Sequence, residues 1–166
     1  MGKIFVFSVF LPLALLLLVG AVPQSARALQ VGAAAPEFSL SGTNGKVYSG
    51  VGLSGNVVVL NFWATWCPPC VGEINLLNGL YKKYEMRGLR VFGITKDTAI
   101  EVKNFEATHP VDYPVLIDSR SAVHTLYGVM PIPVTFLIDS NGLIVKKYIG
   151  PPDPASIEHD IKEILR

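Results

Sequence analysis

The sequence predicts an α/β fold, a central β-sheet flanked by helices, and three observations carry that expectation. Short runs rich in valine and isoleucine alternate with segments of helical periodicity. One run, 56–63 (NVVVLNFW), is almost continuously apolar, as a central strand covered on both faces must be. Two Asn-Gly pairs, Asn44-Gly45 and Asn141-Gly142, each between β-rich runs, mark hairpin turns.

The first 28 of the 166 residues stand apart from this pattern. Lys3 supplies a positive flank, and Ile4 to Val22 is an apolar run broken only by Ser8, Pro12 and Gly20. Ala26-Arg27-Ala28 then offers the small-x-small pattern of a signal-peptidase site. Residues 1–28 are therefore read as a secretion signal, with an uncleaved membrane anchor as the alternative, since the run is nearly long enough to span a bilayer. Either reading places the domain, residues 29–166, outside the cytoplasm. Setting 1–28 aside removes Lys3 and Arg27 from the 14 basic residues, leaving 12 against 13 acidic ones, a net charge of −1. The remaining Lys/Arg pairs, Lys82-Lys83 and Lys146-Lys147, form no phosphate-tracking run, which argues against nucleic acid as a partner.

The elements follow in order. Phe38 to Leu40 and Lys46 to Tyr48 flank the first Asn-Gly turn as a hairpin, and 56–63 is the central strand. A helix is expected from Pro68-Pro69, because proline costs nothing at the first helical position, to about Arg87. Ile74, Leu77, Tyr81 and Tyr84 recur at helical spacing along it, and Gly88 is the stop. Arg90 to Thr95 is a strand, and Thr98 to Thr108 a helix ended by His109-Pro110, since a residue before proline avoids helical geometry. Val115 to Ile117, Ser121 to Tyr127 and Val134 to Ile138 read as strand, short helix and strand. Leu143 to Tyr148 completes the second hairpin. Asp153 to Leu165 closes the chain as an amphipathic helix with Ile157, Ile161 and Ile164 on one face.

The chemistry lies in the two cysteines, Cys67-Pro68-Pro69-Cys70, at the junction of the central strand and its helix. Half of a zinc site is one explanation, but zinc wants three or four ligands, and His109, His124 and His159 lie at no ligand spacing. These histidines fall at helix ends or faces and need no catalytic role. No metal is expected. A structural disulfide closing two residues would be a weak staple, because stabilisation grows with loop length. Redox exchange is the favoured use. A thiolate at a helix N-terminus meets free N–H groups and the positive end of the dipole, which lowers its pKa. Cys67, ahead of the helix, is the expected exposed nucleophile. Cys70, one turn inside, is the resolving thiol. Pro68 and Pro69 carry no N–H, so two donors to the Cys67 thiolate are missing. A less stabilised thiolate implies a lower potential, hence a reductant.

The segment Asn61-Phe62-Trp63-Ala64-Thr65-Trp66-Cys67-Pro68-Pro69-Cys70 resembles the active-site signature of thioredoxins. With the opening Val31-Gly32-Ala33-Ala34-Ala35-Pro36-Glu37-Phe38-Ser39-Leu40 and the late Pro131-Ile132-Pro133-Val134-Thr135-Phe136-Leu137-Ile138-Asp139, the chain is similar to the exported TlpA/ResA-like branch over essentially all of 29–166. That resemblance implies a thioredoxin fold, a central mixed sheet flanked by helices, with an N-terminal β-hairpin and a central insertion at 97–112. It implies a cofactor-free enzyme working through the Cys67–Cys70 disulfide. Pro133 matches the family's cis-proline beside the cysteines, with Ile132 presenting backbone to a substrate, and Trp66 matches the aromatic residue at the rim. Glu73 matches an acidic residue that carries protons to and from Cys70, although its place in a first helical turn is also explained by the dipole. Asn61 stands where thioredoxins carry a buried aspartate. An amide accepts no proton, so Glu73 or water takes that part. Implied partners are protein dithiols or disulfides, an apocytochrome c among them, and a membrane thiol electron donor, with the protein acting as a monomer.

Two other functions compete. A peroxidase of the peroxiredoxin kind shares the Ala-Pro-x-Phe-x-Leu opening but wants threonine or serine three residues before its cysteine, where this chain has Ala64. A binding or chaperone module without turnover has no need of an intact C-x-x-C.

Overall fold

The computed structural model describes Gly2 and residues 29–50 and 55–165. The remainder of the predicted signal segment lies outside the described residues. Strand β1 is Ser39–Gly42 and β2 Val47–Ser49. The central strand β3, Val57–Phe62, leads into helix α1, Pro68–Tyr84. Then come β4 (Leu89–Thr95), α2 (Ala99–Glu106), β5 (Val115–Ile117), α3 (Ala122–Leu126), β6 (Val134–Ile138), β7 (Ile144–Ile149) and α4 (Pro154–Ile164).

Among the described residues the strands form one seven-stranded sheet in the order β2-β1-β5-β4-β3-β6-β7. β3, β4 and β5 run parallel, while β1 joins β5, and β6 joins β3, in antiparallel sense. The sheet is mixed, as expected. All six residues of β3 are buried. Val58, Leu60 and Phe62 enter one core with Phe92, Ile94, Leu116 and Phe136. Val57 and Val59 enter the opposite core with Leu77, Leu80 and Tyr84 of α1 and Ile157 and Ile161 of α4. Each such side chain contributes about 1.5–3 kcal/mol on leaving water, which holds β3 and α1 in fixed relation.

Boundaries differ from expectation for local reasons. α1 ends at Tyr84; its last turn tightens into a 3-10 turn over Glu85–Arg87, and Gly88 stops it at φ 97°. α2 starts from a Thr98 cap whose hydroxyl accepts the Glu101 N–H while the Thr98 N–H donates to Glu101 Oε2. It ends at Glu106 rather than Thr108, because the Phe105 carbonyl collects the N–H groups of both Thr108 and His109 and closes the turn. In the first hairpin β1 starts one residue late, at Ser39, and Phe38 turns into the core. The second turn is held by Asp139 Oδ1, which accepts the N–H groups of Asn141 and Leu143 at 2.9 Å each.

Candidate active site

The end of β3 and the start of α1 bring the cysteines to the surface layer. Trp63 continues β3 by donating its N–H to the Ile94 carbonyl at 3.1 Å. The loop that follows is pinned by Asp97 Oδ2, which accepts the Thr65 N–H at 2.7 Å. Cys67 then takes the position ahead of the helix with extended backbone (φ −101°, ψ 99°), and its carbonyl accepts from Cys70 and Val71. The prolines fill the first turn, where no N–H is required.

Cys67 and Cys70 form a disulfide with the Cα atoms 5.3 Å apart. Cys67 is less open than its place in the chain predicts: it is 4 % exposed, against 1 % for Cys70. Both sulfur-bearing residues pack with Trp63, Ala64, Ile74 and Val102, which accounts for the burial. The flanking residues are open. Pro68 and Pro69 are exposed, and Trp66 is 73 % exposed. The Ile132–Pro133 peptide is cis, and Ile132 packs partly against the cysteine cluster. Beside the cysteines lies a hollow of about 110 Å³, with Trp66, Met130 and Ile132 on its apolar side and Lys96, Asp97 and His124 on its polar side.

Glu73 lies one turn beyond Cys70 on α1 and is 2 % exposed. The first turn of α1 holds no acidic residue, so Glu73 lies past it and the dipole does not account for its place; the helix turns it onto the sheet. Glu73 Oε1 accepts the Thr135 hydroxyl at 2.7 Å, and Thr135 Oγ1 accepts Asn61 Nδ2 at 3.0 Å. Burial pushes the Glu73 carboxyl up to about 7, against the opposing pull of the Thr135 and Asn61 donors. A carboxyl at about 7 gains and loses a proton near neutral pH, which is what a proton carrier for a buried thiol requires. Asn61, where thioredoxins have an aspartate, serves here as a donor to Thr135 rather than as a base.

Sequence reasoning missed three of these residues. Thr135 is a fully buried hydroxyl inside the run VTFLI, and a lone polar residue in an apolar strand was the available signal. Asp97, in the expected insertion, carried no such signal. His124, read as a helix-face residue, is 3 % exposed, and its Nδ1 lies 2.8 Å from Asp118 Oδ2. Burial lowers the imidazole pKa while Asp118 opposes the shift, so the ring donates Nδ1–H to the carboxylate at neutral pH. Among the described residues no three His, Cys, Asp or Glu side chains gather as a metal site, and no helix is long and apolar enough to cross a membrane.

A redox-active pair at a helix N-terminus beneath an exposed tryptophan and a cis-proline loop defines a thioredoxin-fold thiol–disulfide oxidoreductase. Comparison with known proteins narrows the class. The AhpC/TSA family profile matches residues 31–147. The thiol-disulfide oxidoreductase ResA of Bacillus anthracis is 39% identical over 137 residues, covering 82% of this chain and 79% of that one. ResA of Bacillus subtilis is 35% identical over 147 residues, covering 88% and 82%. A crystal structure of a candidate thiol:disulfide interchange protein DsbE from Chlorobium tepidum superposes with a TM-score of 0.79 at 34% identity, covering 83% of this chain and 99% of that one. The chain belongs to the AhpC/TSA family and, within it, to the ResA-like thiol–disulfide oxidoreductases.

Proposed function

We propose that this enzyme works outside the cytoplasm as a reductant of protein disulfides, with Cys67 as nucleophile, Cys70 as resolving thiol and Glu73 as proton carrier. The observation that carries the reading is the Cys67–Cys70 disulfide at the start of α1, beside the cis Ile132–Pro133 loop.

In the reduced enzyme the Cys67 thiolate attacks a client disulfide, forming a mixed disulfide and releasing one client thiolate. Glu73 takes the Cys70 proton. The Cys70 thiolate then attacks the Cys67 sulfur, the intramolecular disulfide forms, and the second client sulfur leaves as thiolate. Two electrons pass from the cysteine pair to the client. Trp66 and the Ile132 backbone hold the client segment, and Pro133 sets that backbone beside the sulfurs. The reaction needs no cofactor or metal, and the enzyme works as a monomer. The reducing direction follows from Pro68 and Pro69, which offer the Cys67 thiolate no N–H.

The segment 1–28 exports the protein or anchors it, and a membrane thiol carrier returns the electrons. One client that the resemblance to the TlpA/ResA-like branch implies is an apocytochrome c with its haem-attachment cysteines oxidised.

Reduction of insulin disulfides by the residue 29–166 domain, with Cys67→Ser as control, tests the activity. No turnover above that control favours a binding module, and a measured potential in the range of strong oxidants overturns the direction. A Cys70→Ser variant traps client mixed disulfides, whose identification decides the apocytochrome assignment.

A further inference from the structure

The dithiol chemistry leaves one buried titratable pair unused, and the pair sits beside the cysteines. His124 and Asp118 are 3 % and 2 % exposed. Asp118 Oδ2 lies 2.8 Å from His124 Nδ1 and accepts the backbone N–H of the same residue at 2.9 Å. The Phe62 and His124 rings meet edge to face, with centroids 5.0 Å apart. The imidazole is therefore held in one orientation. Packing alone does not call for this. A leucine would fill the space against Phe62 with no carboxylate to satisfy, whereas burying a polar pair carries a desolvation cost that its own hydrogen bonds only offset.

One atom of the pair is left over. With Nδ1–H donated to Asp118, the neutral ring keeps its lone pair on Nε2, an acceptor. Among the described residues Nε2 meets no hydrogen-bond partner, and it is not one of the polar atoms shut off from solvent without one. It therefore opens onto space, and the space that His124 lines is the hollow of about 110 Å³ beside the cysteines. The walls of that hollow come from both sides of the disulfide. Trp63, Ala64 and Trp66 run directly into Cys67, and Ile132 precedes the cis-proline. A client segment seated between Trp66 and Ile132 places the side chain next to its cysteine at the mouth. The apolar wall of Trp66, Met130 and Ile132 favours an apolar body there. Lys96 and Asp97 bring opposite charges, so the hollow has no net charge with which to recruit an ionised group.

We infer that His124 is a specificity residue for the client. Its Nε2 accepts a hydrogen bond from a neutral donor at the tip of a mostly apolar side chain flanking the client cysteine, and tyrosine is the fitting type. The inference rests on the protein-disulfide reading above and deepens it. A phenol is protonated at neutral pH and donates one O–H, and its ring matches the apolar wall. Asp118 acts through the imidazole. It keeps the proton on Nδ1, so that Nε2 accepts rather than donates, as a carboxylate fixes the tautomer of a catalytic histidine. The covalent exchange at Cys67 and Cys70 is unchanged; the hollow selects which disulfide reaches it. Phenylalanine is the more apolar ring, so a hollow that only buried apolar surface would prefer it. A preference for tyrosine requires the acceptor.

Two peptide disulfides, identical except for tyrosine or phenylalanine at the positions flanking the cysteines, test the assignment. The measured quantity is the second-order rate constant for oxidation of the reduced enzyme by each. The tyrosine peptide is expected to react about fivefold faster or more, and in His124→Leu the ratio falls to one or inverts. If the imidazole only supports the fold, His124→Leu slows both peptides equally. That result, or a ratio of one or below in the unsubstituted enzyme, overturns the assignment and leaves disulfide reduction standing. Rates with both peptides no higher than those of Cys67→Ser overturn the reductase reading and this inference with it. A second measurement needs no change at His124 and covers the case in which His124→Leu fails to fold. Each peptide is trapped as a mixed disulfide on Cys70→Ser, and the imidazole nitrogen NMR resonances are compared. An upfield Nε2 shift with the tyrosine peptide alone supports the hydrogen bond, and identical Nε2 resonances with the two peptides overturn it.

Discussion

Thr135 Oγ1 lies 2.7 Å from Glu73 Oε1, and the bond joins residues 62 positions apart across the interface of β6 and α1. A hydroxyl has one proton to give. Thr135 spends it on the carboxylate, because its lone pair already accepts Asn61 Nδ2. The pair thereby holds a carboxyl in the core at a protonation balance near neutral pH.

Replacing Thr135 with valine keeps the shape and removes the donor. Asn61 Nδ2 loses its acceptor, and the Glu73 carboxylate loses one of the bonds that favour its charge. The expected cost is about 1–3 kcal/mol, together with a further rise of the Glu73 pKa. Denaturant unfolding and an NMR titration of the Glu73 side chain read the two effects. An unmoved titration would show that the hydroxyl does not tune the acid.

Glu73 also predicts how stability depends on pH. Its carboxyl titrates at about 7 in the folded chain against an ordinary 4.5, so the native state binds the extra proton between those values. The resulting stabilisation is complete below pH 4.5 and is lost as pH rises through about 7. Glu73→Gln removes this dependence and leaves the variant more stable than its parent at pH 8, by at most about 3 kcal/mol. Unfolding midpoints at pH 5 and pH 8 give the comparison.

His124 predicts the opposite slope. Its pKa is lowered in the folded state, so the unfolded chain takes up a proton near the ordinary value of 6.5 before the native one does. The associated stability is present above pH 6.5 and falls away as the solution is acidified through the lowered native value. His124→Leu should flatten the acid limb. Asp118 Oδ2 keeps the backbone N–H of residue 124 as a partner at 2.9 Å in that variant.

Gly93 tolerates no side chain. A methyl group there would press on the indole nitrogen of Trp63 and the ring of Tyr113, both buried and unable to withdraw. Gly93→Ala should lose roughly 1–3 kcal/mol by overpacking, visible as a lower thermal midpoint.

Trp66 separates docking from folding. Its ring is 73 % exposed, so Trp66→Ala should leave the thermal midpoint in place. If the ring anchors a client, the KM for a protein disulfide rises about tenfold or more while the rate with a small disulfide is kept. Equal losses with both substrates would mean that the tryptophan supports the cysteines instead.

Much of this was legible in the residues. The run NVVVLNFW, the prolines that open α1, Gly88 and the two Asn-Gly turns fix their structures through local sterics and through burial, which a linear pattern records directly. The helix ends were less so. Thr98-x-x-Glu101 is a capping pattern visible in the sequence, whereas the closure of α2 at Phe105 depends on which carbonyl gathers the Thr108 and His109 N–H groups.

The Cys67-Pro68-Pro69-Cys70 junction carries the chemistry in its own composition, because reactivity at a helix N-terminus depends on neighbours within one turn. The state of Glu73 could not be read that way. Its pKa follows from being covered by α1 and β6 and bonded through Thr135 to Asn61, and those contacts exist only once β3, β6 and β4 take their order and register. The burial of His124 against Asp118, and of Tyr113 over Gly93, has the same origin. A side chain's charge is set by the dielectric and the donors around it, and for a buried group these come from distant parts of the chain.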